Sequence, residues 1–253
     1  MRELERDSSS DEPACKRVAV VGRGRVASAL APALREAGYK ILGPLGRGAD
    51  ASGADAALLC VPDDEIPHAA SALAPGMLVG HCSGATGLDA LAPHEGFSLH
   101  PLMTVTAAGA SFAGAGAAIA GSTPRALRLA GQLARALQMT AIVVADEDRA
   151  AYHAAASIAS NFLITLEAAA ERLAASAGVP TGLLVPLVRA TVDNWALLGS
   201  RRALTGPVAR GDEATIARQQ VAIAERAPEL LPLFEAMVDA TRALARAPEA
   251  ELV

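Results

Sequence analysis

Arg17-Val18-Ala19-Val20-Val21-Gly22-Arg23-Gly24-Arg25-Val26-Ala27 is the stretch from which the fold of this chain can be read. A short apolar, β-branched run leads directly into Gly-x-Gly-x-x-Ala, and an Ala/Leu-rich helical pattern follows at once. That is the strand–turn–helix setting in which a dinucleotide fingerprint carries meaning. Gly22 permits the tight turn after the strand, Gly24 lets backbone approach a pyrophosphate, and Ala27 lets the helix pack close to the sheet. Arg23, Arg25 and Val26 stand between them as further contacts. The diphosphate would rest on N–H groups at a helix N-terminus, where the helix dipole favours an anion. The competing reading is a plain strand–helix turn with no ligand.

Working outward, an Ala-rich helix is expected from about Val26 to Ala37, stopped by Gly38. Tyr39–Leu45, Ala56–Val61, Met77–His81 and Phe97–His100 read as strands, the last one stopped by Pro101. Ala117–Ala120 and Ala141–Val144 read as two more, around a helix with Ser122 or Thr123 as cap and Pro124 in its first turn. Strands alternating with helices predict a doubly wound, mainly parallel α/β sheet. Near Asp146 the pattern changes to helices alone, expected over Glu147–Ala177, Gly182–Leu198, Asp212–Ala227 and Pro228–Arg246. The expected organisation is therefore a disordered tail over 1–15, a Rossmann dinucleotide-binding domain over 16–145 and an all-helical substrate and dimerisation domain over 146–253.

Composition sets bounds on function. With 52% hydrophobic and 19% charged residues the chain can bury a sizeable core. A net charge of −5 without a basic cluster argues against nucleic acid as partner. Every apolar stretch is interrupted by Gly, Pro or charge, so no membrane span is expected. Cys15, Cys60 and Cys82 lack metal-ligand spacing, no metal is expected, and a reduced, cytoplasmic setting follows.

NAD-preferring sites carry a carboxylate at the end of the second strand. Here Gly43-Pro44-Leu45-Gly46-Arg47 offers no acid before Asp50, and the planar fork of Arg47 suits a 2′-phosphate. NADP(H) is the expected cofactor, with Arg47 as a solvated loop residue the alternative. Val61 and Pro62 after the third strand and Ser83 after the fourth complete the expected cofactor contacts.

Polar groups recur at strand ends, where ligands bind in open α/β sheets. Pro62-Asp63-Asp64, His81-Cys82-Ser83-Gly84 and His100-Pro101-Leu102 suggest a lined cleft, with His81 and His100 on its substrate side. His81 could equally be a hydrogen-bonded structural histidine. Beyond the boundary, His153, Ser157 and Asn161 are spaced i, i+4, i+8 on one helix face amid small Ala residues. They are candidates for chemistry, or satisfied polar groups in a helix–helix interface. Trp195 reads as a packing anchor. The loop Leu204–Asp212 offers Thr205 and Arg210 for a substrate carboxylate, or serves only to connect helices, with Asp212 as cap.

Together these motifs, with Tyr152-His153-Ala154-Ala155-Ala156, Ser160-Asn161-Phe162 and Thr205-Gly206-Pro207, resemble a bacterial family that joins a Rossmann NADP-binding domain to an all-helical domain of unknown function. That family is akin to ketopantoate reductase, pyrroline-5-carboxylate reductase, β-hydroxyacid dehydrogenases and 6-phosphogluconate dehydrogenase, whose C-terminal domain the helical part resembles. The resemblance implies a homodimer and hydride transfer from NADPH to a small keto or imino acid. Such relatives use a catalytic Lys, and this chain has Arg149 and His153 in the corresponding helix. His153, with an ordinary pKa near neutrality, is then the expected proton donor, and Arg149 could polarise a carbonyl. A non-catalytic NADP(H)-binding regulator is the alternative from another class, and a deazaflavin-using reductase a third.

Overall fold

The computed structural model describes residues 15–106 and 109–248. The tail expected over residues 1–15 lies outside the described residues except for Cys15, which is buried in the core beside Val18 and Tyr39. The chain forms two compact units that divide between Ser160 and Asn161.

The first unit holds β1 (Arg17–Val21), α1 (Arg25–Glu36), β2 (Lys40–Leu45), β3 (Ala56–Leu59), α2 (Ile66–Ser71), β4 (Leu78–His81), β5 (Glu95–Leu102), β6 (Gly116–Gly121), α3 (Pro124–Ala136), β7 (Thr140–Val143) and α4 (Arg149–Ser157). Its seven strands run β2-β1-β3-β4-β5-β6-β7, all neighbours parallel except β5 and β6. From β1 the chain goes first to one side, to β2, and then across to β3. That reversal opens a crevice at the C-terminal ends of β1 and β3, the place where such sheets bind ligands.

Small residues bring the layers together. α1 buries Ala27, Ala29, Leu30, Ala31 and Leu34 against the sheet. A Cβ at Gly80 would lie 2.3 Å from the Phe97 ring, so β4 accommodates that ring only because it has glycine there. α3 starts as expected, with Thr123 Oγ1 accepting from Ala126 N at 3.1 Å and Pro124 following. Such a cap contributes about 1 kcal/mol.

Two expectations are corrected. Pro101 does not stop the fifth strand: β5 continues to Leu102, pairing with β6 opposite Gly116. β4 pairs with β5 no further than His81 opposite Ser98, so beyond that point one side of β5 has no partner strand, and a residue without an N–H is tolerated there. The helix expected over Glu147–Ala177 is not continuous. A 3₁₀ turn at Asp146–Asp148 leads into α4, and a π-turn at Ile158–Phe162 separates α4 from α5 (Leu163–Ser176). α2, after β3, was hidden from periodicity by its six-residue length.

The switch to helices near residue 145 precedes the division of the units by fifteen residues, because α4 docks on the sheet through Arg149 and Tyr152. The second unit comprises α5, α6 (Leu184–Leu198), α7 (Ser200–Ala203), α8 (Pro207–Arg210), α9 (Glu213–Arg226) and α10 (Leu231–Arg246). Asp212 caps α9 as expected, accepting from Thr215 N at 3.0 Å. α5 and α6 bury no residue at all. Trp195 is 55% exposed, so among the described residues it is not buried as a packing anchor would be.

Candidate functional site

A cavity of about 390 Å³ opens at the C-terminal ends of β1, β2 and β3. Gly22, Arg23, Gly24, Arg47, Val61 and Pro62 line it together with Glu65 and His68. The fingerprint glycines do different work. Gly22 has φ +122°, and a Cβ there would lie 2.2 Å from the Cys60 carbonyl oxygen. Gly24 has an ordinary extended backbone and open space where its Cβ would be. It is the N-cap of α1 and no side chain caps that end, which leaves the first turn's N–H groups available to an anion. Arg25 is exposed and Val26 half-buried in the same turn, while Ala27 is fully buried against the sheet.

Arg47 is 80% exposed and pairs with Glu65 at 3.1 Å. An exposed pair of this kind contributes little, so exchange of Glu65 for a phosphate would cost little. Arg23 swings to the same rim, its guanidinium 3.5 Å from the Cβ position of Gly46. The residues present fit an anionic dinucleotide: bare backbone at a helix start, with two arginines at the outer end.

Ser83 does not line this cavity. It is buried, donates to Asp63 Oδ2 at 2.6 Å and accepts from the Ala85 and Thr86 amides at 3.1 and 2.9 Å. Asp63 directly follows Pro62 of the cavity wall, so the turn after β4 is tied to the turn after β3.

A second polar group occupies the ends of β4 and β5. His81 is fully buried, with its Nδ1 accepting from Ser83 N at 3.2 Å and its Nε2 lacking a well-aligned partner. Burial first, and then Arg149, press its pKa down to about 4, against smaller opposing pulls from the Gly87 carbonyl, Asp63 and Asp146. Arg149 is 2% exposed. Its Nε donates to Asp146 Oδ1 at 2.6 Å and a terminal nitrogen donates to Ser98 Oγ; the other is buried without a partner. The guanidinium is thus committed to holding α4 on β5 and does not face solvent, where a carbonyl could meet it.

That clamp places the next turn of α4. Tyr152 Oη lies 2.8 Å from His100 Nδ1, with the rings edge to face. Burial, with His153 and Arg149 behind it, lowers the His100 pKa to about 4, so its imidazole is neutral at pH 7. Burial raises the Tyr152 pKa, so its phenol keeps its proton at neutral pH. His153 is exposed and sits 6.2 Å from His100 between ring centres. A Cβ at Gly84 would lie 2.8 Å from His100 and 2.9 Å from His153, so only glycine lets both imidazoles pack against this buried turn.

The structure therefore brings together His81, His100, Arg149 and His153. Ser157 lies a turn beyond His153, half-buried. Asn161 falls in the π-turn, where one extra residue per turn interrupts the four-residue spacing assumed for the stripe. Asn161, Thr205 and Arg210 belong to the second unit, all exposed. Arg210 ends α8 between Gly206 and Gly211, both at positive φ. Sequence reasoning gave no role to Ser98, Asp146 or Tyr152. The i, i+3 spacing of Asp146, Arg149 and Tyr152 was the available signal. Among the described residues no cluster of three or more His, Cys, Asp or Glu could hold a metal, and no helix is long and apolar enough to cross a membrane.

Comparison with known sequences decides the family. The model of the domain of unknown function DUF2520 matches residues 115–241, half of the chain. The chain belongs to the DUF2520 family. None of the curated proteins compared matches this DUF2520 protein. Among solved structures it is similar to a provisionally named NADP oxidoreductase of Bacteroides fragilis, with 19% identity and a TM-score of 0.79 over 90% of this chain and 98% of that one. Protein TM1727 of Thermotoga maritima is 23% identical, with a TM-score of 0.75 over 92% and 99%. A reductive aminase of Aspergillus terreus, solved with NADPH4, cyclohexanone and allyl amine, is 18% identical, with a TM-score of 0.62 over 92% and 98%. At these identities the likeness establishes the fold: an N-terminal Rossmann-like domain followed by a helical one.

Proposed function

We propose that this DUF2520 protein is an NADPH-dependent reductase of a small keto or imino acid, the ketopantoate type being its most concrete form. The observation that carries the reading is the cavity at the switch point. Bare Gly24 backbone at an uncapped helix start and two arginines at the rim match a pyrophosphate and a 2′-phosphate. Two of the three similar solved structures support it, one being named an NADP oxidoreductase and the other solved with NADPH4.

Gly22, Gly24, Val61 and Pro62 would hold the dinucleotide along its length, and Arg23 and Arg47 its outer phosphate. When bound, NADPH supplies a hydride. His153, exposed and packed against Gly84, supplies the proton to the reduced carbonyl or imine, and Ser157 orients that group. Neutral His100 is held beside them by its hydrogen bond with the Tyr152 hydroxyl. His81 supports the turn that carries Gly84. Exposed Thr205 and Arg210 are the carboxylate-binding candidates of the helical unit. The bare apolar helices α5 and α6 support a homodimer.

Fluorescence titration with NADPH and NADH, repeated for Arg47→Ala, tests the nucleotide assignment. NADPH should bind more tightly, and the variant should lose about tenfold for NADPH alone, the size of one charged hydrogen-bonded contact. Absence of binding to either nucleotide overturns the reading. His153→Gln should lower turnover by roughly 10²-fold, and unchanged turnover removes it as the acid. Burial of Arg149 takes it out of reach of a substrate and leaves α4 without the lysine of related reductases, and this favours a second reading, a nucleotide-binding regulator. Tight NADPH binding without oxidation across a panel of keto and imino acids would establish it.

A further inference from the structure

Two thiols meet at the edge of the nucleotide cavity. Cys60 follows β3 and Cys82 follows β4, in register, since Leu59 pairs with His81. Their sulfurs are 3.6 Å apart and unbonded. Neighbouring strands run about 4.8 Å apart, within the backbone separation a disulfide spans. Side-chain rotation has to close the sulfurs by only about 1.5 Å to reach bonding distance. Both backbones are pinned, Cys60 N donating to Val21 O at 2.7 Å and Cys82 N to Leu59 O at 3.2 Å.

The two cysteines are not equivalent. Cys60 lines the cavity and is reachable from it. Both cysteines are half-buried, and contact with Cys60 together with burial raises the Cys82 thiol pKa well above the usual value. The cysteine on the cavity wall is placed to be oxidised first, and its neighbour to resolve it.

We infer that Cys60 and Cys82 form a reversible disulfide under hydrogen peroxide, and that this bond weakens dinucleotide binding. The Cys60 sulfur attacks one peroxide oxygen, the O–O bond breaks, and Cys60 sulfenic acid and water result. The Cys82 sulfur then attacks the sulfenic sulfur. The S–O bond breaks, and hydroxide leaves with the Cys82 proton as a second water. Two thiols are oxidised and one peroxide is reduced. The bond reaches the cavity through Cys60 itself, which forms part of its wall. Rotation of the Cys60 side chain towards Cys82 therefore reshapes the wall against which the dinucleotide would lie. This second half of the inference rests on the proposed nucleotide site; the cross-link itself does not.

Peptide mapping without reductant, on folded protein treated with peroxide, should yield a Cys60–Cys82 cross-link that dithiothreitol reverses. Saturating NADP+ should slow its formation by covering Cys60. NADPH affinity of the oxidised protein should fall about tenfold, a usual coupling between sites, and recover on reduction. In Cys82→Ser, dimedone should capture Cys60 as its sulfenic acid and no cross-link should form. Absence of the cross-linked peptide overturns the inference, and a cross-linked protein with unchanged NADPH affinity overturns its regulatory half. If reduced protein binds no nucleotide, the nucleotide reading and that half fall together, while the cross-link stands.

Discussion

The carbonyl oxygen of Cys60 occupies the space that a side chain on Gly22 would need, 2.2 Å from where its Cβ would be. Two residues on, Gly24 has nothing within 4 Å of its Cβ position. The two glycines of one motif thus have separable roles. Gly22→Ala should cost about 2–4 kcal/mol through strained backbone and a backbone clash, seen as a large drop in Tm. Gly24→Ala should leave Tm within a few degrees yet weaken NADPH by about tenfold or more, its methyl standing where the pyrophosphate would lie. Unimpaired binding by Gly24→Ala would place the diphosphate elsewhere.

Acid should destabilise the first unit through its buried imidazoles. His81 and His100 both have folded pKa values near 4, below the ordinary 6.5. Between those values the unfolded chain binds more protons than the folded one, so stability rises with pH across that window and is fully present above about pH 6.5. Asp146, lowered chiefly by Arg149 and the Leu88 amide against burial, acts in the same direction, its contribution lost as pH falls through its folded pKa. Thermal unfolding from pH 7 to pH 4 should show Tm falling, and His81→Gln should flatten the curve. A profile unchanged by that substitution would mean that His81 does not titrate as its burial requires.

Arg149 joins α4 to β5, and its removal should be felt in two ways. Arg149→Ala leaves Ser98 buried without its partner and opens a void, at a cost of about 3 kcal/mol. Asp146→Asn keeps the packing but leaves the guanidinium without its counter-charge, at a similar cost, since Arg149 is almost wholly buried. In variants that fold, NADPH affinity should change little, because the cavity lies on β1 to β3. Tyr152 and His153 should be displaced, so the loss belongs in turnover. Equal losses in nucleotide binding and turnover would point to general unfolding instead.

What the sequence made legible was local. Gly22, Gly24 and Ala27 fix the β1–α1 turn because each acts on its immediate neighbours, and Thr123 and Asp212 cap the helices they precede. What it hid was non-local. Arg149 is understood only through Ser98, 51 residues earlier, and the thiol pair only through the register of β3 and β4. Pro101 misleads because the rule against proline in strands assumes partners on both sides, and β4 has already ended. The π-turn at Ile158–Phe162 leaves no mark in the apolar pattern. The likeness to NADP-linked reductases had to be argued from the fingerprint, since no single polar residue declares it.

The bare faces of α5 and α6 bear on assembly. Ile164, Leu183, Leu187 and Leu197 are each more than 60% exposed. A patch of that kind usually marks an interface. If it joins two copies, light scattering should report a dimer, and Leu187→Lys should shift it to monomer without loss of NADPH binding. A wild-type monomer at micromolar concentration would exclude the homodimer.

The sharpest test of the second polar group is Gly84. Its backbone φ is not in the left-handed region, so alanine there carries no conformational penalty. The cost is steric and directed at two imidazoles, His100 at 2.8 Å and His153 at 2.9 Å from the new Cβ. His100 is held by Tyr152 at 2.8 Å, whereas His153 is exposed on α4 and has room to rotate outward. Gly84→Ala should therefore lower Tm, because His100 cannot step aside as His153 can, while leaving NADPH affinity close to wild type. With a substrate in hand, it should lower kcat by about tenfold or more by moving the proton donor, since displacement of a positioned group by an ångström suffices for such losses. Gly84→Ala together with His153→Gln should be no worse than His153→Gln alone. Additive losses would mean that His153 is not what glycine makes room for.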